Sequence, residues 1–248
     1  MMAQLKAAAQ QQTTGGFDPE TGIGHVELFW AEGTEFAALG YSDGADVDAW
    51  PDEATTESAD QATASRKPQY RAAYAGLNNK PTVEFTVSTT PGDLLKTANG
   101  VYSRTFPISI VVVCYPTAFS DGNRPIIDGD GQRNQIYNKP PGNFGIYSGG
   151  TPRDSSTNTF SAGAYGLVAY FAGTSANDRL RVNGVLEIDA NSGNAQADDM
   201  SIGGYPTSDY RGFLGGISLV MVYEGDITAD GSWSDMQSWV STHYGVTI

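Results

Sequence analysis

The amino-acid sequence predicts an all-β protein: a two-sheet antiparallel sandwich closed by a short C-terminal helix and preceded by an extended or helical N-terminal arm. Three observations carry this. The 248 residues include 30 glycines, 13 Tyr, 10 Phe and 4 Trp, and only 17% are charged, which suits many short strands joined by tight turns. Apolar side chains recur every second residue in Thr82-Val83-Glu84-Phe85-Thr86-Val87, placing Val83, Phe85 and Val87 on one face of a strand. Asn183-Gly184 separates two alternating runs, 179–182 and 185–189, and Asn-Gly supplies the positive φ angles of a type I′ hairpin turn.

The other elements follow in chain order. Residues 1–16 are a polar, Ala/Gln-rich arm, too short for a stable isolated helix, so it is expected to order by packing against neighbours. Residues 17–248 are expected to form one β domain. Residues 51–68 are polar, acidic and rich in Ser, Thr and Ala, and read as a long loop. The run Ile108-Ser109-Ile110-Val111-Val112-Val113-Cys114-Tyr115 reads as a central strand covered on both faces. Stretches 143–147, 164–171, 201–204 and 213–223 continue the strand pattern. Trp233, Met236, Trp239 and Val240 have helical spacing, and Gly245 supplies the cap.

Charge and composition exclude several functions. The 28 acidic and 14 basic residues leave a formal net charge of −14, which repels phosphate backbones and argues against nucleic-acid binding and anionic-membrane anchoring. No stretch is long and apolar enough for membrane insertion. The single cysteine, Cys114, rules out an intrachain disulfide and a Cys-based zinc site and is expected to be a small buried hydrophobe. The N-terminus has no continuous apolar segment of the secretory kind, so synthesis in a cytoplasm is expected.

Several local pieces, taken in order, resemble the laminin G-like/concanavalin A-like jelly-roll family of lectins and glucanases. They are Ala45-Asp46-Val47-Asp48-Ala49-Trp50-Pro51-Asp52, Ser65-Arg66-Lys67-Pro68-Gln69-Tyr70, Leu77-Asn78-Asn79-Lys80-Pro81-Thr82-Val83-Glu84-Phe85, Leu180-Arg181-Val182-Asn183-Gly184, Ser201-Ile202-Gly203-Gly204, Phe213-Leu214-Gly215-Gly216-Ile217 and His243-Tyr244-Gly245. Trp50 is expected to plug one end of the sandwich, and Phe213 to lie over the backbone of Gly215-Gly216. With its N-terminal arm and Trp50-Pro51-Asp52, the chain is similar to phage minor tail proteins. That resemblance implies a non-enzymatic virion structural protein, a minor tail or head-surface protein. It would bind other virion proteins through the arm, assemble as a homo-oligomer and contact host cell-surface glycans. The alternative of the same fold is a glycan-processing hydrolase or a free carbohydrate-binding lectin module.

Retaining glucanases of this fold carry Glu-x-Asp-x-Glu or Glu-x-Asp-x-x-Glu on a strand, with carboxyls about 5 Å apart. Here Glu187-Ile188-Asp189-Ala190-Asn191 has Asn191 where the last acid should be. Strict alternation would turn Leu186 and Ile188 inward and leave Glu187 and Asp189 outside. No catalytic residue is therefore assigned. His25 and His243 have no nucleophile elbow to serve. Asp128, Asp130 and Asn134, in Asp128-Gly129-Asp130-Gly131-Gln132-Arg133-Asn134, are the oxygen ligands a calcium ion would take, although the loop lacks the closing Glu of an EF-hand; no other cofactor is indicated. For carbohydrate, Tyr205, Tyr210 and Arg211 share one turn-rich loop, where aromatic faces and a polar neighbour could hold a sugar.

Overall fold

The computed structural model describes residues 17–86, 92–98, 105–119, 122–129, 133–156, 158–197, 199–205 and 212–248. The N-terminal arm lies outside them. In chain order the strands are β1 (Glu27–Trp30), β2 (Ala49–Pro51), β3 (Ser58–Asp60), β4 (Gln69–Tyr74), β5 (Lys80–Phe85), β6 (Leu95–Lys96), β7 (Ile108–Pro116) and β8 (Arg124–Gly129). The second half holds β9 (Arg133–Lys139), β10 (Asn143–Tyr147), β11 (Arg153–Asp154), β12 (Tyr165–Phe171), β13 (Asp178–Val182), β14 (Val185–Ala190), β15 (Ser201–Ile202) and β16 (Gly215–Glu224). A short helix α1 (Thr34–Ala38) follows β1, and α2 (Trp233–Tyr244) follows β16.

These strands pair antiparallel in two sheets, as the sequence predicts. One runs β14-β13-β12-β7-β16-β5-β4, with β1 also on β16; the other runs β11-β10-β9-β8-β15-β6-β3-β2. The far edge of β16 is shared, because β5 pairs with Gly215–Ile217 and β1 with residues 219–222.

Strand β7 shows why its sequence is apolar throughout. Ile108, Ile110, Val112 and Cys114 face the core between the sheets. Val111 and Val113 face the other way, into a second cluster under α2. Strand β16 does the same with one interruption. Ile217 and Val220 both face the first core, whereas Leu219 and Met221 face the helix. The pairing with β7 shifts register between Ile217 and Leu219, so Ser218 is an extra, bulged residue that resets the alternation. Its buried hydroxyl lies 2.7 Å from Thr82 Oγ1 and donates to Pro81 O at 2.9 Å.

Helix α2 closes the outer face through Met236, Trp239, Val240 and Tyr244. That is the i, i+3, i+4 stripe expected of an amphipathic helix. Gly245, at φ 73°, ends it in the left-handed conformation. The hairpin turn is also as predicted, with Asn183 at φ 49° and Gly184 at φ 79°. Trp50 is fully buried, 6.2 Å from Phe29 and 5.8 Å from Phe36 between ring centroids.

Two expectations are corrected. Residues 51–68 are not one long loop, since β3 pairs with β2 and touches β6; three residues are too few to show a periodicity. The aromatic lying over backbone is Phe85 rather than Phe213. A Cβ on Gly203 would sit 2.1 Å from the Phe85 ring, whereas Gly215 faces the Tyr115 carbonyl. Among the described residues no helix is long and apolar enough to cross a membrane.

Candidate functional site

A cleft lies on the outer face of the first sheet, between the β13–β14 hairpin and α2. Alternation along β13 buries Leu180 and Val182 and sends Arg179 and Arg181 to that outer face. A cleft of about 320 Å³ is lined by Arg181, Gly184, Thr228, Trp233, Gln237 and Ile248. A shallower hollow that includes Tyr170, Arg179 and Asp226 adjoins it and shares Arg181 and Thr228. The cleft and the hollow lie side by side along one groove-like stretch of this face, with Arg181 and Thr228 between them.

The two arginines differ in their surroundings. Arg179 Nη2 donates to Asp226 Oδ2 at 2.5 Å, and its guanidinium lies 4.3 Å over the Tyr170 ring. Burial opposes ionisation of Asp226, but hydrogen bonds from Arg179 and Thr228 outweigh it and hold the carboxyl below its ordinary range. Thr228 is itself fixed by donating its N–H and hydroxyl to Asp226 Oδ1 at 3.1 and 2.7 Å. Arg181 instead donates Nη1 to the Gly184 carbonyl at 3.2 Å. Among the described residues it pairs with no carboxylate. Gln237 Nε2 donates to Ile248 O at 2.8 Å, which leaves its carbonyl oxygen and one N–H uncommitted. Trp233 is half-buried on the cleft wall.

The hairpin acids are placed differently from expectation. Arg181 pairs with Leu186 and Leu180 with Ile188, so Glu187 is the extra residue of a bulge. Leu186 is 42% exposed and Glu187 only 8% exposed, the reverse of strict alternation. Asn158 Nδ2 donates to Glu187 Oε1, and Glu187 Oε2 has no hydrogen-bond partner among the described residues. Asp189 is exposed, as expected.

Of the calcium candidates, Asp128 is buried and accepts Gln135 Nε2 at 2.9 Å. Asn134, left-handed at φ 49°, accepts the Ala197 N–H at 3.1 Å and donates to Ser148 Oγ at 3.3 Å. Both side chains tie neighbouring segments together, and Asp130 lies outside the described residues. No group of three His, Cys, Asp or Glu converges among the described residues. Tyr205, the first of the expected sugar-binding residues, is buried and presents no open ring face; Tyr210 and Arg211 lie outside the described residues.

The remaining polar candidates are structural. His243 pairs with Glu32 and stacks on Trp239 at 4.7 Å and 16°. His25 Nδ1 donates to Ile23 O at 2.9 Å. Cys114 is fully buried, which pushes its thiol far above the ordinary range. The Arg181 cleft was not anticipated. Its only local signal is the pattern Arg179-Leu180-Arg181-Val182, which puts two cations opposite the core.

No protein-family model and no curated protein sequence matches the chain. Solved structures share its fold. Domain 4 of AbnA, a GH43 extracellular arabinanase from Geobacillus stearothermophilus solved with arabinotriose, matches at 15% identity and TM-score 0.50, over 68% of this chain and 81% of that one. Trypanosoma rangeli sialidase solved with 2,3-difluoro-KDN matches at 13% identity and TM-score 0.57, over 88% of this chain. The same sialidase with the inhibitor DANA matches at 14% and 0.54, over 92%. The chain spans about a third of the sialidase's length, 33% and 35% in the two structures.

The class is thus an all-β, two-sheet antiparallel sandwich, a fold shared with an arabinanase domain and with structures of a sialidase. Two expectations fall with it. Glycoside hydrolases are prominent among these structures, so the fold argues against the non-enzymatic assignment, which is withdrawn. The likenesses are to carbohydrate-active proteins and do not bear out the virion and minor-tail assignment, which is withdrawn.

Proposed function

We propose that this chain is a carbohydrate-binding β-sandwich domain that holds a saccharide in the cleft between the β13–β14 hairpin and α2. The supporting observation is the grouping of one half-buried indole, Trp233, with Arg181, Thr228 and Gln237 around a single cleft of about 320 Å³. Sugar rings stack on aromatic faces while a few polar groups orient their hydroxyls, and the volume is at the lower end of small-ligand sites, about 300–1,000 Å³. The likeness of fold to an arabinanase domain solved with arabinotriose agrees with this reading.

The test is a glycan array followed by titration calorimetry on the intact protein. Binding that is retained in Trp233→Phe and falls about tenfold or more in Trp233→Ala, with both variants folded by circular dichroism, is expected from loss of the stacking face. No binding on the array, or binding indifferent to both substitutions, would sink the proposal.

A glycan hydrolase is the second reading, favoured by Glu187, a buried carboxyl beside Asn158. Polysaccharide cleavage abolished by Glu187→Gln would establish it. Absence of cleavage by the unsubstituted protein would remove it.

A further inference from the structure

We infer that the saccharide taken by this cleft is acidic, a sugar whose carboxylate is held by Arg181. The inference rests on the saccharide reading above and adds the chemical class of ligand. It starts from the charge balance. Acidic residues outnumber basic ones 28 to 14, so most of the surface should repel an anion. The groove is an exception, because alternation along β13 brings Arg179 and Arg181 to the same outer face. Arg179 is already neutralised by Asp226 and covered on one side by Tyr170. Among the described residues Arg181 has only the Gly184 carbonyl, a neutral partner on its own hairpin. It is the charged side chain lining the larger cleft.

A half-buried guanidinium with one of its five N–H groups engaged by a carbonyl keeps donors for a bidentate carboxylate. Asp226 lies at the other end, on the wall of the smaller hollow. It is held ionised next to Arg179, so a second anion entering the shallow end would meet a carboxylate rather than a cation. An anion would therefore sit at the Arg181 end. The ring bearing that charge would then lie towards Trp233, with Thr228 and Gln237 beside its hydroxyls. Gly184 completes the wall. Any side chain there would start 3.2 Å from Thr247 Cγ2 and carry a strained φ of 79°, so the turn stays low and open beside Arg181.

The experiment compares oligogalacturonate with a neutral galacto-oligosaccharide of the same length, by calorimetry at about 50 mM and about 500 mM salt, where screening of an exposed ion pair differs strongly. The unsubstituted protein should bind the acidic oligomer about tenfold tighter at low salt, the preference shrinking at high salt. In Arg181→Gln that preference should vanish, the acidic oligomer losing about tenfold relative to the neutral one. Arg181→Lys should restore part of it, because an ammonium keeps the charge without the planar fork.

Equal binding of both oligomers by the unsubstituted protein would overturn the acidic inference and leave the carbohydrate reading standing. A preference that survives in Arg181→Gln would also overturn it. Inorganic sulfate displacing the acidic oligomer at equal concentration would show a simple anion site and overturn it as well. Binding of neither oligomer, together with no binding on a broad array, would remove both readings.

Discussion

Glu53 is placed to make stability depend on pH near neutrality. Its side chain lies across Gly33, where an added Cβ would meet Glu53 Oε1 at 2.2 Å. It accepts the N–H groups of Glu35 at 2.8 Å and Phe36 at 3.0 Å, the first turn of α1. Burial raises its pKa to about 7 from 4.5; the two backbone donors oppose that rise, and Glu20 and Glu35 add to it. A carboxyl that binds its proton more tightly when folded stabilises the fold while protonated. Its contribution is complete below the unfolded value near 4.5 and is lost as pH rises through about 7. The shift corresponds to about 3 kcal/mol if unscreened. With the side chain partly open to solvent, on the order of 1–2 kcal/mol is expected. Glu53→Gln keeps an amide oxygen for one backbone N–H and removes the titration. Urea unfolding at pH 5, 6, 7 and 8 should therefore show the original protein losing on the order of 1–2 kcal/mol relative to the variant between the lowest and highest pH. Parallel pH profiles would refute the reasoning, since every other titrating group is common to both proteins.

Two further substitutions test the packing that supports the sandwich. Asp52→Ala removes the acceptor of the buried Leu28 N–H at 2.8 Å and the Ala54 N–H at 2.9 Å; a fall in the urea midpoint equivalent to about 2–4 kcal/mol is expected, largely recovered in Asp52→Asn. Gly203→Ala combines a φ of 83° with a Cβ 2.1 Å from the buried Phe85 ring, and should cost about 2–4 kcal/mol. That is a drop of about 5–10 °C in melting temperature, and a drop under about 2 °C would show that the sheet yields more easily than the contact implies.

The elements legible in the sequence are those whose signal is local. Strand β7 is a continuous apolar run because both of its faces are covered, by the opposing sheet and by α2. Asn183-Gly184 announces its own turn through backbone angles that favour these residues. Helix α2 declares itself through the spacing of Trp233, Met236, Trp239 and Val240. The bulges at Ser218 and Glu187 were not legible, because an extra residue is defined by the partner strand's register rather than by its own neighbours. Alternation counted across such a point fails on one side of it: Leu186 and Glu187 lie on the faces opposite to those expected, whereas Ile188 and Asp189 beyond the bulge lie as expected.

The cleft was hidden for a different reason: Arg181 and Trp233 are distant in sequence and meet only after the helix docks. Its position follows from widths. An α-helix with its side chains is about 10–12 Å across, and neighbouring strands are about 4.8 Å apart, so one helix covers roughly two strands. Helix α2 shares its apolar cluster with Val111 and Val113 of β7, Leu219 and Met221 of β16, Val168 of β12 and Leu28 of β1, and Trp239 packs on Trp30 of β1 at 5.8 Å. Strands β13 and β14 extend the same sheet beyond that cover. Side chains on their outer face must therefore be compatible with water, and Arg179 and Arg181 are. A step between a raised helix and a bare strand pair is a groove by construction, with an aromatic wall supplied by the helix at Trp233 and a charged floor supplied by the strand at Arg181. A helix of this width on a sheet of this breadth leaves a groove at its margin, and the residues chosen for β13 decide what it can hold.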